Sequence, residues 1–170
     1  PAAEILAAIG HKLSRVVYLS TTGVYGSATR VDERTAPDPA TDRQRLRMDA
    51  EKAVSAGLWQ SLILRPAAIY GPGRGVQVAL RAGDYKLVGD GSSFISRIHV
   101  DDLAAIATAA LLSDLTGAYP VADEEPCSSL EITEFCARLI GLKSLESVTS
   151  EEVSETRRSN RQVDGRAIRE

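Results

Sequence analysis

The sequence is poor in the residues that announce specialised chemistry. It has two cysteines, Cys127 and Cys136, neither in a Cys-x-x-Cys pair, and two histidines, His11 and His99, that stand apart. Two cysteines exclude a disulfide framework, and isolated histidines give no metal-ligand spacing. No metal site is expected, and the thiols read as buried groups in a reduced cytoplasm. Positive charge is not in surplus: 20 Lys and Arg face 23 Asp and Glu, for a net charge of -3. Nucleic-acid binders carry a basic excess, so nucleic acid is not an expected partner. No apolar run reaches the about 20 residues that a membrane span needs. The apolar opening PAAEILAAIG lacks the basic lead-in of a secretory signal. A cytoplasmic protein with no membrane partner is therefore expected. The only methionine is Met48 and the chain opens on Pro1, so a fragment or a processed chain is expected.

What is present is enough core for one domain: 170 residues, 44% of them hydrophobic. PAAEILAAIGHKL has helical apolar spacing that ends near Gly10. RVVYLSTT is a β-branched run that reads as a buried parallel strand. GVYGSATRVDERTAPDPATD reads as a long loop, and loops of that length are usually functional. Asp42 is placed to cap a helix that runs to about Ala56 and stops at Gly57. SLILRPAAIY reads as a second buried strand, GPGRG as a turn and GVQVALRAG as a short helix. YKLVGDGSSFISRIHV reads as short strand segments around GDGSS. DDLAAIATAALLSD and SSLEITEFCARLIG read as helices with acidic starts, and AYPVAD as a strand between them. The segment from Lys143 onward is polar, with room for a last helix. Strands alternating with helices predict the α/β class with a mostly parallel sheet.

Four segments occur in a fixed order: VVYLSTTGVYG, a helix ending in AEKAV, LRPAAIYGPG and RIHVDDLAAI. Together, at these spacings, they resemble the NAD(P)-dependent epimerase/dehydratase family, the extended branch of the short-chain dehydrogenase/reductases, over residues 14–142. The resemblance implies a Rossmann-type doubly wound parallel sheet with a small C-terminal substrate-binding subdomain. Residues 1–75 would complete the NAD(P)-binding domain; 76–170 would be mainly the substrate subdomain, with 97–123 returning to the sheet. The family's first strand carries a Gly-rich turn that holds the cofactor diphosphate. Gly71, Gly73 and Gly75 of GPGRG do not form that motif. Roughly 90 to 100 preceding residues are thus expected to be missing. NAD or NADP is implied as cofactor only where that half is present, and the residues that select between them lie in it. An incomplete sheet would expose an apolar edge and face, from which a homodimer or aggregate is expected.

By the same resemblance, Thr21 would hydrogen-bond the reacting oxygen, with Ser20 toward the cofactor and Thr22 toward substrate. The other reading of Thr21 is a strand-end hydroxyl bonded to nearby backbone. The family's acid/base is a Tyr-x-x-x-Lys pair on one face of the next helix, where the Lys lowers the phenol's pKa. Counting back from Glu51 of AEKAV, the family's Tyr and Lys positions hold Arg43 and Arg47, and no Tyr lies between Tyr25 and Tyr70. Arginine is permanently protonated and cannot do the phenol's work. Either the chain is a non-catalytic nucleotide-binding or sensor protein, or a remnant of such an enzyme, or another group takes over. Tyr25 is the nearest stand-in and a candidate substrate contact; Tyr70 is the next. Arg47 would bind the cofactor and Arg43 the substrate through an anion such as a phosphate or carboxylate; the other reading is a solvated basic face. Pro66, Ala67, Ala68 and Ile69 would line the nicotinamide, and Tyr70 and Arg74 would touch substrate. Nucleotide-sugar epimerases often carry an Arg where Ile95 stands; here Arg97 precedes His99 by two residues. His99 reads as a backbone-bonding residue, and RRSN at 157–160 is given no role. The implied reaction is redox or epimerase-like chemistry on a small-molecule substrate, a sugar or a small carbonyl compound.

Overall fold

The computed structural model describes residues 4, 8, 12–153 and 159–169. The helix expected at the start of the chain falls mainly outside these residues, as does half of RRSN. Along the chain run β1 (Arg15–Leu19), a 3-10 turn (Thr22–Tyr25), β2 (Arg30–Val31), α1 (Asp42–Ser55), β3 (Gln60–Pro66) and β4 (Ala68–Tyr70). Then follow α2 (Val76–Ala82), β5 (Leu87–Val88), β6 (Phe94–Ile95), β7 (Arg97–His99), α3 (Val100–Leu112) and β8 (Gly117–Val121). β9 (Cys127–Ser128), α4 (Ser129–Ile140), β10 (Ser147–Val148), a 3-10 turn (Ser150–Glu152), β11 (Gln162–Val163) and a last 3-10 turn (Arg166–Ile168) complete the order.

The centre is a parallel sheet in the order β1-β3-β8. β3 lies in the middle, with Leu62, Ile63 and Leu64 fully buried, as expected for a strand covered on both faces. α3 lays Leu103 and Ala110 against Leu62, Leu64 and Val121 in the main core. A second core forms where the strands end: Val24 and Tyr25 after β1, Ala67 after β3, Ala122 after β8, with Val31 and Val163 from the paired β2 and β11. The predicted α/β class and mostly parallel pairing are what the described residues form; β6 with β9 is an antiparallel pair.

Three local expectations change. SLILRPAAIY is two strands, not one. Pro66 has no N–H to continue the ladder. Ala67 still donates to Val121 O at 2.9 Å, but Ala68 donates to Ser96 O at 3.2 Å, so the chain moves to a new partner, β7. The cap of α1 is Thr41, not Asp42: Thr41 Oγ1 accepts from Gln44 N, and Gln44 Oε1 accepts from Thr41 N. Asp42 instead places its charge in the first turn, at the positive end of the helix. Beyond Lys143 no α-helix forms among the described residues; β10 and β11 add short parallel strands to β5 and β2.

Gly26 shows how tightly the loop after β1 is folded. It has φ +57°, and a Cβ there would sit on the carbonyl oxygen of Asp38. Asp38 N in turn donates to Val24 O at 2.9 Å, so the obstacle is held in place. Gly26→Ala is expected to cost about 2 kcal/mol or more, from backbone strain plus displacement of Asp38. Urea unfolding measures it; a loss under about 0.5 kcal/mol, the range of neutral surface changes, would show that the loop gives way freely.

Candidate functional site

β1 and β3 end side by side, and Ser20 N donates to Leu64 O at 2.7 Å to keep them level. Ligands of open α/β folds bind beyond the C-terminal ends of parallel strands. That is where Thr21 and the Pro66–Ile69 segment lie. Thr21 is half-buried and caps the 3-10 turn, its Oγ1 accepting from Gly23 N at 3.1 Å. Because the oxygen accepts there, its O–H proton is left to donate elsewhere. Both readings of this hydroxyl are therefore compatible in one geometry. Pro66 and Ala67 are buried, Ile69 is half-buried and Ala68 is exposed.

Beneath Thr21 runs a buried polar chain. Ser20 Oγ donates to Glu51 Oε1. Arg65 grips both Glu51 oxygens, Nη2 at 2.7 Å and Nε at 3.2 Å, and Nη1 donates to the Tyr25 phenol at 3.1 Å. Its guanidinium carbon lies 5.0 Å from the Tyr25 ring centroid. Glu51, Arg65 and Tyr25 are 3%, 6% and 0% exposed. An ion pair survives such burial only when forked geometry and further hydrogen bonds satisfy it, as here. Burial pushes Arg65 down, but the hydrogen bonds it donates to Glu51 and Tyr25 outweigh it and hold the guanidinium above its usual pKa. Burial raises the Tyr25 phenol, against the lowering pull of Arg65. Tyr25 was expected near the pocket as a substrate contact and stand-in acid. The fold instead seals it in the core with its oxygen engaged.

Arg161 holds the same loop from the other side. It is 8% exposed. Nε donates to Ala28 O at 2.8 Å, Nη1 to Thr22 O at 2.5 Å and Nη2 to Gly26 O. Desolvation lowers its pKa, since these partners are carbonyls rather than carboxylates. Thr22, expected near substrate, thus gives its carbonyl to this clamp.

The arginines of α1 divide. Arg45 pairs with Asp42 at 3.3 Å and donates to Ala40 O at 3.0 Å. Arg43 and Arg47 have no carboxylate partner among the described residues. They share a cleft of about 380 Å³ with Tyr18, Leu46 and Ala50, where Arg47 Nη1 donates to Tyr18 Oη at 3.1 Å. At the ends of the paired β4 and β7, Tyr70 meets the His99 ring edge-on at 5.1 Å. Burial, then Asp123, raise the Tyr70 phenol. His99 Nδ1 accepts from Asp101 N at 3.3 Å, the backbone role expected of it, and caps α3. Arg74 is exposed in a turn that bonds Gly71 N to Arg74 O and Arg74 N to Gly71 O. Those two N–H groups each donate to a carbonyl of the turn and are not left for an anion.

The sequence of residues 2–121 matches the NAD dependent epimerase/dehydratase family. The chain belongs to this family. It is 35% identical over 113 residues to a 3-diazoavenalumate denitrifying reductase of a Streptomyces species, covering 62% of this chain and 37% of that one. A functionally unknown conserved protein from Silicibacter pomeroyi DSS has a similar solved structure, with TM-score 0.82 and 32% identity over 97% of this chain and 64% of that one. MoeE5, solved in complex with UDP-glucuronic acid and NAD, gives TM-score 0.82 at 21% identity over 99% of this chain and 62% of that one. The fold is thus that of Rossmann-type epimerase/dehydratases, and the chain spans less than two thirds of the length of these relatives.

Within this family frame the sequence missed three groups: Tyr18, the Glu51–Arg65 pair and Arg161. Arg65 did carry a signal, a lone charge inside the apolar run SLILRPAAIY. Arg161 follows RRSN and carried none. Among the described residues no group of three or more His, Cys, Asp or Glu could hold a metal ion, and no helix is long and apolar enough to cross a membrane.

Proposed function

We propose that the chain is the nicotinamide-flanking and substrate-binding part of an NAD(P)-dependent oxidoreductase or epimerase acting on a sugar or small carbonyl compound. The observation that carries this reading is Thr21, a fixed hydroxyl at the end of β1 whose oxygen is occupied by Gly23 N and whose proton is left to donate. The residues present fit the nicotinamide end of such a cofactor but not its diphosphate, because the Gly-rich turn at 71–74 bonds Gly71 N and Arg74 N to its own carbonyls. When bound, the nicotinamide supplies hydride chemistry. The chain's own part is to orient the reacting oxygen through Thr21 and to exclude water with Pro66, Ala67, Ala68 and Ile69. Ser20 holds its place beside Thr21 through Glu51. Arg47 faces the cofactor; Arg43, Thr22, Tyr70 and Arg74 face substrate. Of the two stand-in acids, Tyr70 is the less buried, and Tyr25 serves better as an anchor of the loop than as a proton donor. Residues 1–75 act as the later part of the cofactor domain, and 76–170 mainly as the substrate subdomain.

The test is Thr21→Val in the complete protein, assayed by nicotinamide absorbance against a panel of sugars and carbonyl compounds. Turnover is expected to fall about 100-fold, the order of one oriented donor at the reacting oxygen, with Thr21→Ser retaining most of it. Equal turnover in wild type and Thr21→Val would remove Thr21 from the chemistry. A second reading, a non-catalytic nucleotide-binding or sensor protein, is favoured by the sealed phenol of Tyr25 and by arginines at 43 and 47. It predicts cofactor binding with no turnover across the panel.

A further inference from the structure

Three hydrogen-bond donors converge on the cleft between β1 and α1. Arg47 Nη1 donates to Tyr18 Oη at 3.1 Å. That bond uses the phenol oxygen as an acceptor and leaves its O–H to donate outward. Arg43 stands one helical turn before Arg47, on the same face of α1, and lines the same cleft. Neither guanidinium has a carboxylate partner among the described residues. Arg45, between them in sequence, is already paired with the Asp42 carboxylate and donates to the Ala40 carbonyl. Leu46 and Ala50 close the cleft with apolar surface. The run of three arginines is therefore one cation paired with a carboxylate and two without one, of which Arg47 donates to the Tyr18 phenol and Arg43 lines the same cleft.

We propose that Tyr18, Arg43 and Arg47 form a binding site for a phosphate-type dianion, free or carried by an ester. Two forked guanidiniums and one hydroxyl offer more donors and more charge than a single carboxylate can satisfy, whereas a phosphate has the oxygens and the charge to meet all three. The Leu46 and Ala50 wall would lie against whatever the phosphate is attached to. This site shares Arg43 and Arg47 with the reading above but does not depend on it, because phosphate binds here whether or not any nicotinamide chemistry occurs.

The experiment is isothermal titration of the protein with inorganic phosphate at fixed ionic strength in chloride. Saturable binding at one site is expected. Arg47→Gln and Arg43→Gln should each weaken it about tenfold or more, and Tyr18→Phe about threefold to tenfold, as expected for loss of a hydrogen bond to a charged group. Arg45→Gln makes the same change of charge and should leave binding within about twofold. Acetate at the same concentration should not compete. Adenosine monophosphate separates the sources: tighter binding than phosphate assigns the site to an ester, and equal binding to the free ion. The proposal is overturned if phosphate does not saturate, if Arg45→Gln weakens binding as much as Arg47→Gln, or if acetate competes equally. Arg43 is exposed and Arg47 and Tyr18 are half-buried, so these variants should fold, and a thermal melt of each confirms it.

Discussion

Arg65→Met should destabilise the chain by about 3–5 kcal/mol, a large share of what a single domain holds. The substitution leaves the Glu51 carboxylate, 3% exposed, with the Ser20 hydroxyl as its remaining partner in the network. It also takes the donor from the Tyr25 phenol, which is fully buried. An uncompensated buried charge is far costlier than the pair is stabilising, so the double variant Arg65→Met/Glu51→Leu should recover much of the loss. The cycle should thus show a coupling of about 2–3 kcal/mol between the two sites. Arg65→Lys keeps the charge but cannot fork onto both oxygens, and should fall between wild type and Arg65→Met. Urea unfolding can be followed by the single tryptophan, Trp59, whose indole donates to Val54 O at 2.9 Å beside the end of α1. If the double variant is as unstable as Arg65→Met alone, the cost lies in packing and not in the orphaned carboxylate.

The parts of this fold that were legible in sequence are those with local causes. The extent of α1 was legible to within a residue: a polar cap was expected at Asp42 and stands at Thr41, and Gly57 lies just beyond the end. Ser128 and Glu131 announce α4 in the same way. β3 is apolar because it is the central strand of a parallel sheet. What was not legible depends on long-range pairing. β2 and β11 have two residues each, too short for a period of two to show, yet they join segments more than 100 positions apart. The partner change at Ala67 is likewise set by where β7 and β8 arrive. Thr21's place at a strand end was visible because its strand and turn are contiguous. The direction of Tyr25 was not, since being four residues from Thr21 says nothing about whether a 3-10 turn aims a ring at the pocket or at Arg65. Tyr18 was read only as part of a strand, and its contact with Arg47 joins β1 to α1 across 29 positions.

Arg161→Met is expected to cost about 3 kcal/mol and to loosen one loop more than the rest of the molecule. Its guanidinium donates to the carbonyls of Thr22, Gly26 and Ala28, and it is 8% exposed. Each orphaned carbonyl costs about 1–3 kcal/mol while buried, but parts of the loop lie near solvent and can recover water, so the sum is not reached. Met fills much of the volume and isolates the polar loss; Arg161→Lys restores one cluster of donors and should regain part of it. Hydrogen exchange separates this role from general destabilisation. Amides of residues 22–28 should exchange faster in Arg161→Met under conditions where those of β3, held by β1 and β8 on both sides, do not. Because Thr21 begins the clamped turn, the complete protein should lose turnover with this substitution while phosphate binding at Tyr18, Arg43 and Arg47 stays unchanged. A uniform rise in exchange across both regions would mean that Arg161 supports the whole fold and has no special hold on the loop that presents Thr21.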